Sequence, residues 1–316
     1  MATYKAIHGV KVQYRESDAT ATVGDVWYNS STGLLKMYAG IGAVASSNNL
    51  NTARSTFSGC GIQTAGMVFA GDEPPRSDST ETYDGSSWTT VADLNTAMAQ
   101  RMGDGTTTAG LCFGGGPPES ADSEEYNGTS WTEGDNLNTA RRKGAAFGIQ
   151  TACVCAGGMT PPKVASVEEY NGSSWTEVTD IPTATNGLDG AGILTDGIVF
   201  AGGGTGVGGD EAYDYDGTNW TTAGTMNDAR TELTGWGLTG ATGVAAGGTD
   251  GPTAGLQVEL YNGTAWSEET DLLVSRLSSA AFGAQSAGVV AGGSGYLATT
   301  EEWSLTGASV QTVAFD

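Results

Sequence analysis

The chain is poor in the residues from which most reactive sites are built. It has one histidine, His8, and four cysteines, Cys60, Cys112, Cys153 and Cys155, in 316 residues. A copper or zinc centre that needs several imidazoles has no ligands here. Each cysteine lies in an apolar stretch and reads as a small buried side chain more readily than as half of a disulfide or the start of a metal site. Lysine and arginine number 13 against 36 acidic residues, a formal net charge of −23. Nucleic acid and bare anionic membranes are held by cationic side chains, so neither is an expected partner. No apolar run reaches the length of a bilayer span, and the opening MATYKAIHGVKVQYRES has no apolar core of the kind a secretory signal needs. The expectation is a soluble chain without membrane insertion, metal or cofactor, released by some route other than a signal peptide if it acts outside its producer.

What the chain has in excess is glycine, 50 residues, which disfavours long helices and suits many tight turns. The sequence repeats six times at a period of 42 to 46 residues. Five copies carry a tyrosine, a glycine turn and a tryptophan at fixed spacing: Tyr83 to Trp88, Tyr126 to Trp131, Tyr170 to Trp175, Tyr215 to Trp220 and Tyr261 to Trp266. Upstream stand the glycine pairs Gly114-Gly115, Gly157-Gly158, Gly202-Gly203, Gly247-Gly248 and Gly292-Gly293, with Gly71-Asp72 in the first copy. Repetition at this length makes each copy one supersecondary unit that cannot bury its own apolar faces and must pack on its neighbours.

Residues 137–178 show what one unit is. Two short apolar stretches, around Ala145 to Phe147 and Ala152 to Ala156, flank a turn and end on Gly157-Gly158, which predicts two inner strands in a hairpin. A polar loop with Pro161 and Pro162 leads to a mixed apolar and acidic strand ending at Tyr170. Asn171-Gly172 marks a tight turn, and Trp175 to Val178 makes the fourth strand. Small apolar inner strands and polar, aromatic outer strands suit a wedge that narrows toward an axis, and six wedges make an all-β, six-bladed propeller of four-stranded antiparallel blades.

A glycine pair closing strand two, an aromatic 10 to 13 residues on and a tryptophan near the start of strand four resemble the kelch repeat. The resemblance covers residues 50–316, with blades near 50–93, 94–136, 137–180, 181–225, 226–271 and 272–316, and residues 1–49 as a β-rich leader. The first strand of copy one is expected to begin at Leu50. In copy six Trp303 replaces the tyrosine and residues 304–309 replace the NGxxW turn, leaving residues 310–315 for the last outer strand. Every blade is then contiguous in sequence, and the ring closes by packing of its first and last blades, helped by the N-terminal segment. The wording Leu50-Asn51-Thr52-Ala53-Arg54, repeated from Leu94, Leu137 and Met226, together with EEYNGTSW, is similar to kelch-like proteins of tailed bacteriophages. The leader adds a Trp-rich hairpin, residues 24–29 and 34–38 about a Ser-Ser-Thr-Gly turn, similar to segments of phage tail-fibre and other virion proteins.

Four arginines recur just before the innermost strand: Arg54, Arg141, Arg230 and Arg276, with Met98 and Thr185 in the remaining copies. At the mouth of a central channel such a ring would bind an anion, carboxylated sugars included, through planar donors. The competing role is a pairing of each arginine with an acid or carbonyl of its own or the next blade. Glu81, Glu124, Glu168, Glu259 and Glu301 recur two residues before the outer aromatic. Equivalent positions in successive blades stand too far apart for a glycosidase pair, which leaves solvated strand edges or partners of the arginines. The turn at Tyr83 to Trp88 resembles a sialidase Asp-box only superficially, since Asp84 and Asp216 touch glycine directly. Asn29, Asn127, Asn171, Asn219 and Asn262 fit the glycosylation pattern, yet most sit where a turn itself demands asparagine.

The loops after each glycine pair differ most between copies and fall on one face, where a repeated scaffold usually builds recognition. The resemblance implies a non-enzymatic virion protein, as tail fibre, appendage or capsid-associated component. The leader would dock it to other virion proteins and the propeller would face a host surface glycan or a protein, as a single copy or a homo-oligomer. The alternatives are a phage depolymerase and a cellular kelch adaptor, the latter disfavoured by the lack of helical periodicity.

Overall fold

The computed structural model describes residues 13–16, 26–204 and 207–312; His8 and the end of the expected last strand beyond Thr312 lie outside them. The chain divides into two compact units, Met1–Ala43 with Leu305–Asp316, and Val44–Ser304. Strand dominates both, and among the described residues the sole helix is a single 3-10 turn at Gly240–Thr242.

In the smaller unit Val26–Asn29 pairs antiparallel with Leu34 to Met37, the hairpin expected of the leader, and Gln13–Arg15 adds a parallel strand on Val26–Asn29 that was not expected. Asn29 explains the turn: its Oδ1 accepts from the backbone of Ser31 and Thr32, both at 3.0 Å, and Gly33 takes φ 69°.

The larger unit is a six-bladed β-propeller. Blade three shows the pattern: Ala145–Ile149, Ala152–Ala156, Val167–Tyr170 and Trp175–Val178 hydrogen-bond in sequence order as an antiparallel meander. Blade one starts at Ser58–Ile62, blade two at Met102–Thr106, blade four at Asn186–Ile193, blade five at Thr234–Trp236 and blade six at Ala280–Ala284. These first strands contact each other in order around the axis, and blade six meets blade one.

Apolar burial lies between blades. One cluster joins Phe147, Val154 and Val167 of blade three to Leu188, Val199 and Tyr215 of blade four, and another joins Val68 and Tyr83 of blade one to Phe282 and Val289 of blade six. Each tryptophan of the repeat packs on the preceding blade: Trp175 meets Phe113 edge-to-face at 4.7 Å, and its Nε1 donates to Ser123 Oγ at 3.1 Å. Trp131 does the same to Phe69 and Thr80 Oγ1. Such aromatic pairs contribute about 0.5–1.5 kcal/mol beyond their burial, and the same joint recurs around the ring.

Three expectations are corrected. Blade one begins at Ser58, eight residues after Leu50, because the Leu-Asn-Thr-Ala-Arg wording forms a loop pinned by a glutamate. In blade four strand two runs on through Asp196–Gly204, and the left-handed pair that closes strand two elsewhere falls inside it at Ala201-Gly202 (φ 62° and 95°), one residue before the expected Gly202-Gly203. Blade six is not built from contiguous sequence: Thr300–Thr312 is one unbroken strand, and its outer neighbour is Leu34–Ser47 from before blade one. Residues 304–309, which lack the NGxxW turn, do not reverse the chain, and the open edge takes a strand from the other end of the sequence. Ring closure thus rests on backbone pairing, with Ser47 Oγ donating to Glu302 at 3.0 Å beside it.

Candidate functional site

The repeated glutamate explains the repeated wording. Glu168 Oε2 accepts from the backbone N and side-chain Nδ2 of Asn138 at 2.6 and 2.9 Å, while its Oε1 accepts from Thr139 N at 3.2 Å and Arg141 Nη2 at 2.7 Å. Arg141 Nη1 donates to the carbonyls of Gly157 and Ser166, so the guanidinium also ties down the end of strand two. The knot recurs as Arg54–Glu81 at 2.6 Å, Arg230–Glu259 at 2.7 Å and Arg276–Glu301. All four arginines are at most 2% exposed. They are inside the blades, away from the channel mouth, and no anion-binding ring forms from them. The glutamates are equally buried and serve as their partners, not as solvated edges.

Two blades depart from the pattern. In blade two Met98 stands at the arginine position, and Arg101, three residues on, reaches Glu124 instead at 3.1 Å. In blade four both charges are gone together: Thr185 replaces the arginine, and Tyr213 replaces the glutamate and shares a 2.9 Å hydrogen bond with Thr183. Joint loss is what physics favours, since one buried charge without its partner costs more than neither.

The residues that follow the arginines form the mouth of the channel. Thr56, Gln100, Lys143, Glu232 and Ser278 all have φ between 53° and 57°, with Gly187 at 67° in blade four. This turn aims each amide at the neighbouring blade. Gln100 N donates to Thr56 O, Thr56 N to Ser278 O, Ser278 N to Glu232 O, Glu232 N to Gly187 O and Gly187 N to Lys143 O, all at 2.7–2.8 Å. A belt of backbone hydrogen bonds therefore runs from blade to blade. Above Gly187, Lys143 pairs with Glu232 across the gap left by the missing side chain, and Ser278 Oγ donates to the other Glu232 oxygen at 3.0 Å.

Behind this mouth an axial cavity of about 230 Å³ is lined by the first strands of all six blades. Most of the lining is glycine, alanine and backbone, and two carboxylates interrupt it. Asp104 accepts from Gly105 N in its own blade at 2.7 Å and from Gly148 N in blade three at 2.9 Å. Asp189 accepts from Gly190 N at 2.9 Å and from Gly235 N in blade five at 2.7 Å. Each thus clasps two blades. Burial pushes both carboxyls up to about 7 despite these amide donors. Neither carboxylate stands at a repeated position, although each is an acid in a strand whose counterparts are small or apolar.

The opposite mouth is apolar. Ile62, Ile149 and Ile193, the last residues of three first strands, and Leu238 of blade five all line the cavity and are 44–52% exposed.

The loops after strand two share the face of the first mouth, as the bridges Ser55 to Asp72 and Arg142 to Met159 show. They are tied across blades: Arg76 Nη2 donates to Pro117 O, Arg142 Nε to Glu119 at 2.8 Å, Lys163 Nζ to Gly203 O at 3.4 Å and Tyr296 OH to Asp72 at 3.5 Å. Of the basic residues in Val44–Ser304, Arg54, Arg101, Arg141, Arg230 and Arg276 are buried, and the rest, Arg76, Arg142, Lys143 and Lys163, all reach solvent on this face. The four cysteines are free and buried in the blades. Among the described residues no cluster of three or more His, Cys, Asp or Glu is arranged to hold a metal, and no helix is long and apolar enough to cross a membrane.

No protein-family model matches the chain, and no curated protein sequence does. Its fold is similar to the solved structure of YjhT, with a TM-score of 0.68 over 84% of this chain and 99% of that one at 13% identity, a likeness in fold alone.

Proposed function

We propose that this chain is a non-catalytic recognition component of a bacteriophage virion, and that the loop face of its kelch-like propeller binds a carboxylated glycan of the host surface. One observation carries the binding part. In a unit where five arginines are consumed by buried glutamates and Arg142 and Lys143 pair with Glu119 and Glu232, Arg76 and Lys163 are left without a carboxylate partner among the described residues, on one face and on loops braced against their neighbours. Guanidinium and ammonium groups held by neighbouring loops meet a carboxylate with little ordering cost. The virion part is supported by the resemblance of the repeated wording and of the Trp-rich leader hairpin to phage proteins.

Asp104 and Asp189 give the depolymerase reading its footing, because two carboxyls with raised pKa values in one cavity suit acid–base chemistry on sugars. Against it, both oxygens of each are occupied by backbone amides of two blades, the work of a clasp.

Mass spectrometry and cryo-EM of particles from lysates of cells expressing the gene test the virion role; a propeller at a defined symmetric site is expected, and its absence from every particle would end that reading. The purified protein is expected to retain carboxylated host glycans on an array and to lose them on Arg76→Ala with Lys163→Ala. Retention by the double variant, or hydrolysis of the glycan, would overturn the binding account.

A further inference from the structure

The apolar mouth is on the face away from the loops, where the tips of the first hairpins and the Asx turns meet; Gly85 of one such turn lies against Thr64 of a hairpin tip. Four large apolar side chains at about half exposure around one opening form a concentrated apolar patch on the surface of a chain whose net charge is −23. Within the propeller unit this face has no lysine or arginine among the described residues, while it does carry Asp84, Asp196 and Asp216. Hydrogen bonds from their own turn amides hold Asp84 and Asp216 below the usual carboxylate range, so both are firmly anionic. Inside the opening come Asp104 and then Asp189, both partly exposed to the cavity. Each accepts two amide bonds, and among the described residues no cation pairs with either.

Depth fits one kind of visitor. Asp104 is the third residue of Met102–Thr106, two residues in from the level of the apolar ring, which is about 7 Å along a strand. A lysine side chain spans about 6 Å from Cα to Nζ, an apolar stem ending in a compact charge. We propose that the apolar mouth of the axial cavity is a docking socket for a lysine side chain presented by a partner protein, with the stem against Ile62, Ile149, Ile193 and Leu238 and the ammonium at Asp104. Flanking apolar residues of the partner would cover the ring. Charge complementarity selects this occupant: an anionic residue would meet Asp104, and a purely apolar plug would strand two carboxyls in a dry cavity. The burial that makes ionised Asp104 costly in the empty cavity is what an incoming ammonium relieves.

The test uses the full chain and three acetylated, amidated peptides, Leu-Lys-Leu and its norleucine and glutamate counterparts, titrated by calorimetry and by chemical-shift perturbation of labelled isoleucine methyls. The lysine peptide is expected to bind at least tenfold more tightly than either counterpart and to shift Ile62, Ile149 and Ile193. Asp104→Asn is expected to abolish that preference. Because this variant also loses a clasp, Ile149→Ser with Ile193→Ser, exposed positions that leave the blades intact, is expected to weaken all lysine-peptide binding at least tenfold with an unchanged melting temperature. Equal binding of lysine and norleucine peptides, no methyl shifts, or n-hexylammonium binding as tightly as the peptide would each overturn the proposal, the last by pointing to a free amine. None of these outcomes bears on the glycan array, which reads the other face.

Discussion

Arg101 pairs with Glu124 from a backbone position three residues later than the one from which Arg141 pairs with Glu168. The glutamate stays and the arginine moves, so the fixed point of the knot is the carboxylate that gathers the amides of the Asn-Thr loop. Arg101 is the poorer occupant: its Nε and Nη2 find no partner among the described residues, whereas Arg141 places all three nitrogens.

Glu168→Gln is expected to destabilise the protein by about 3–5 kcal/mol, since it leaves Arg141 buried without its counter-charge. Arg141→Met with Glu168→Gln should cost less than the single change, in the manner of blade four. Denaturant unfolding of both decides it; a loss under 1 kcal/mol in the single variant would mean that the loop, not the ion pair, holds the knot.

Stability is expected to fall as pH rises from about 4 to about 7. Asp104 and Asp189 titrate near 7 in the folded chain and near 4 when unfolded, so between those values the folded state holds protons that the unfolded state has released. One such proton gives a slope approaching about 1.4 kcal/mol per pH unit, less where channel water reaches the carboxyl. Asp84 and Asp216 act in the other direction and only at lower pH: their folded values are depressed, and the stability they add is lost below about 4. Melting curves from pH 4 to 8 should flatten in Asp104→Asn with Asp189→Asn. An unchanged slope in that variant rules out the two carboxyls as its source.

Gly158→Ala is expected to cost more than Gly157→Ala. At Gly158, φ is 102° and an added Cβ would stand 2.8 Å from the carbonyl of Arg142. At Gly157, φ is 64°, the conformation that Ala70 and Ala201 hold in their own blades. The left-handed cost of about 1–2 kcal/mol applies to both; the Cβ at Gly157 would meet the carbonyl of Thr185 at 3.0 Å, a tight contact but a milder one than at Gly158, where Gly144 backbone also crowds it. Equal unfolding free energies would show that the carbonyl yields.

A chain starting at Asn48 lacks the strand that pairs with Thr300–Thr312. Its open edge is expected to lower the melting temperature and promote self-association, measured by light scattering. A monodisperse, equally stable product would place ring closure elsewhere.

Five blades were legible because their copies repeat the tyrosine, turn and tryptophan that join each to the blade before, and the sixth because its glycine pair, Gly292-Gly293, keeps the same period. The leader hairpin was legible for a similar reason, since Asn29 and Gly33 shape its turn locally. What was hidden depends on distance in sequence. Arg54 is 27 residues from Glu81, and the repeat shows both without showing that they meet. Arg101 is out of register with its counterparts, so alignment of copies hides it. The strand that completes blade six comes from before the first copy, where no repeat marks it. Asp104 and Asp189 sit at different levels of their strands, so no repeat position gathers them into a site.

The belt of amides around the channel mouth also limits how such a protein can change. Thr56, Ser278, Glu232 and Gly187 each receive from one neighbouring blade and give to the other, while the belt stays open between Lys143 and Gln100. A seventh or missing blade would change the angle between neighbours and turn these amides away from their acceptors, so the belt opposes a change in copy number, whereas the loops and the two mouths can change without a neighbouring blade having to agree.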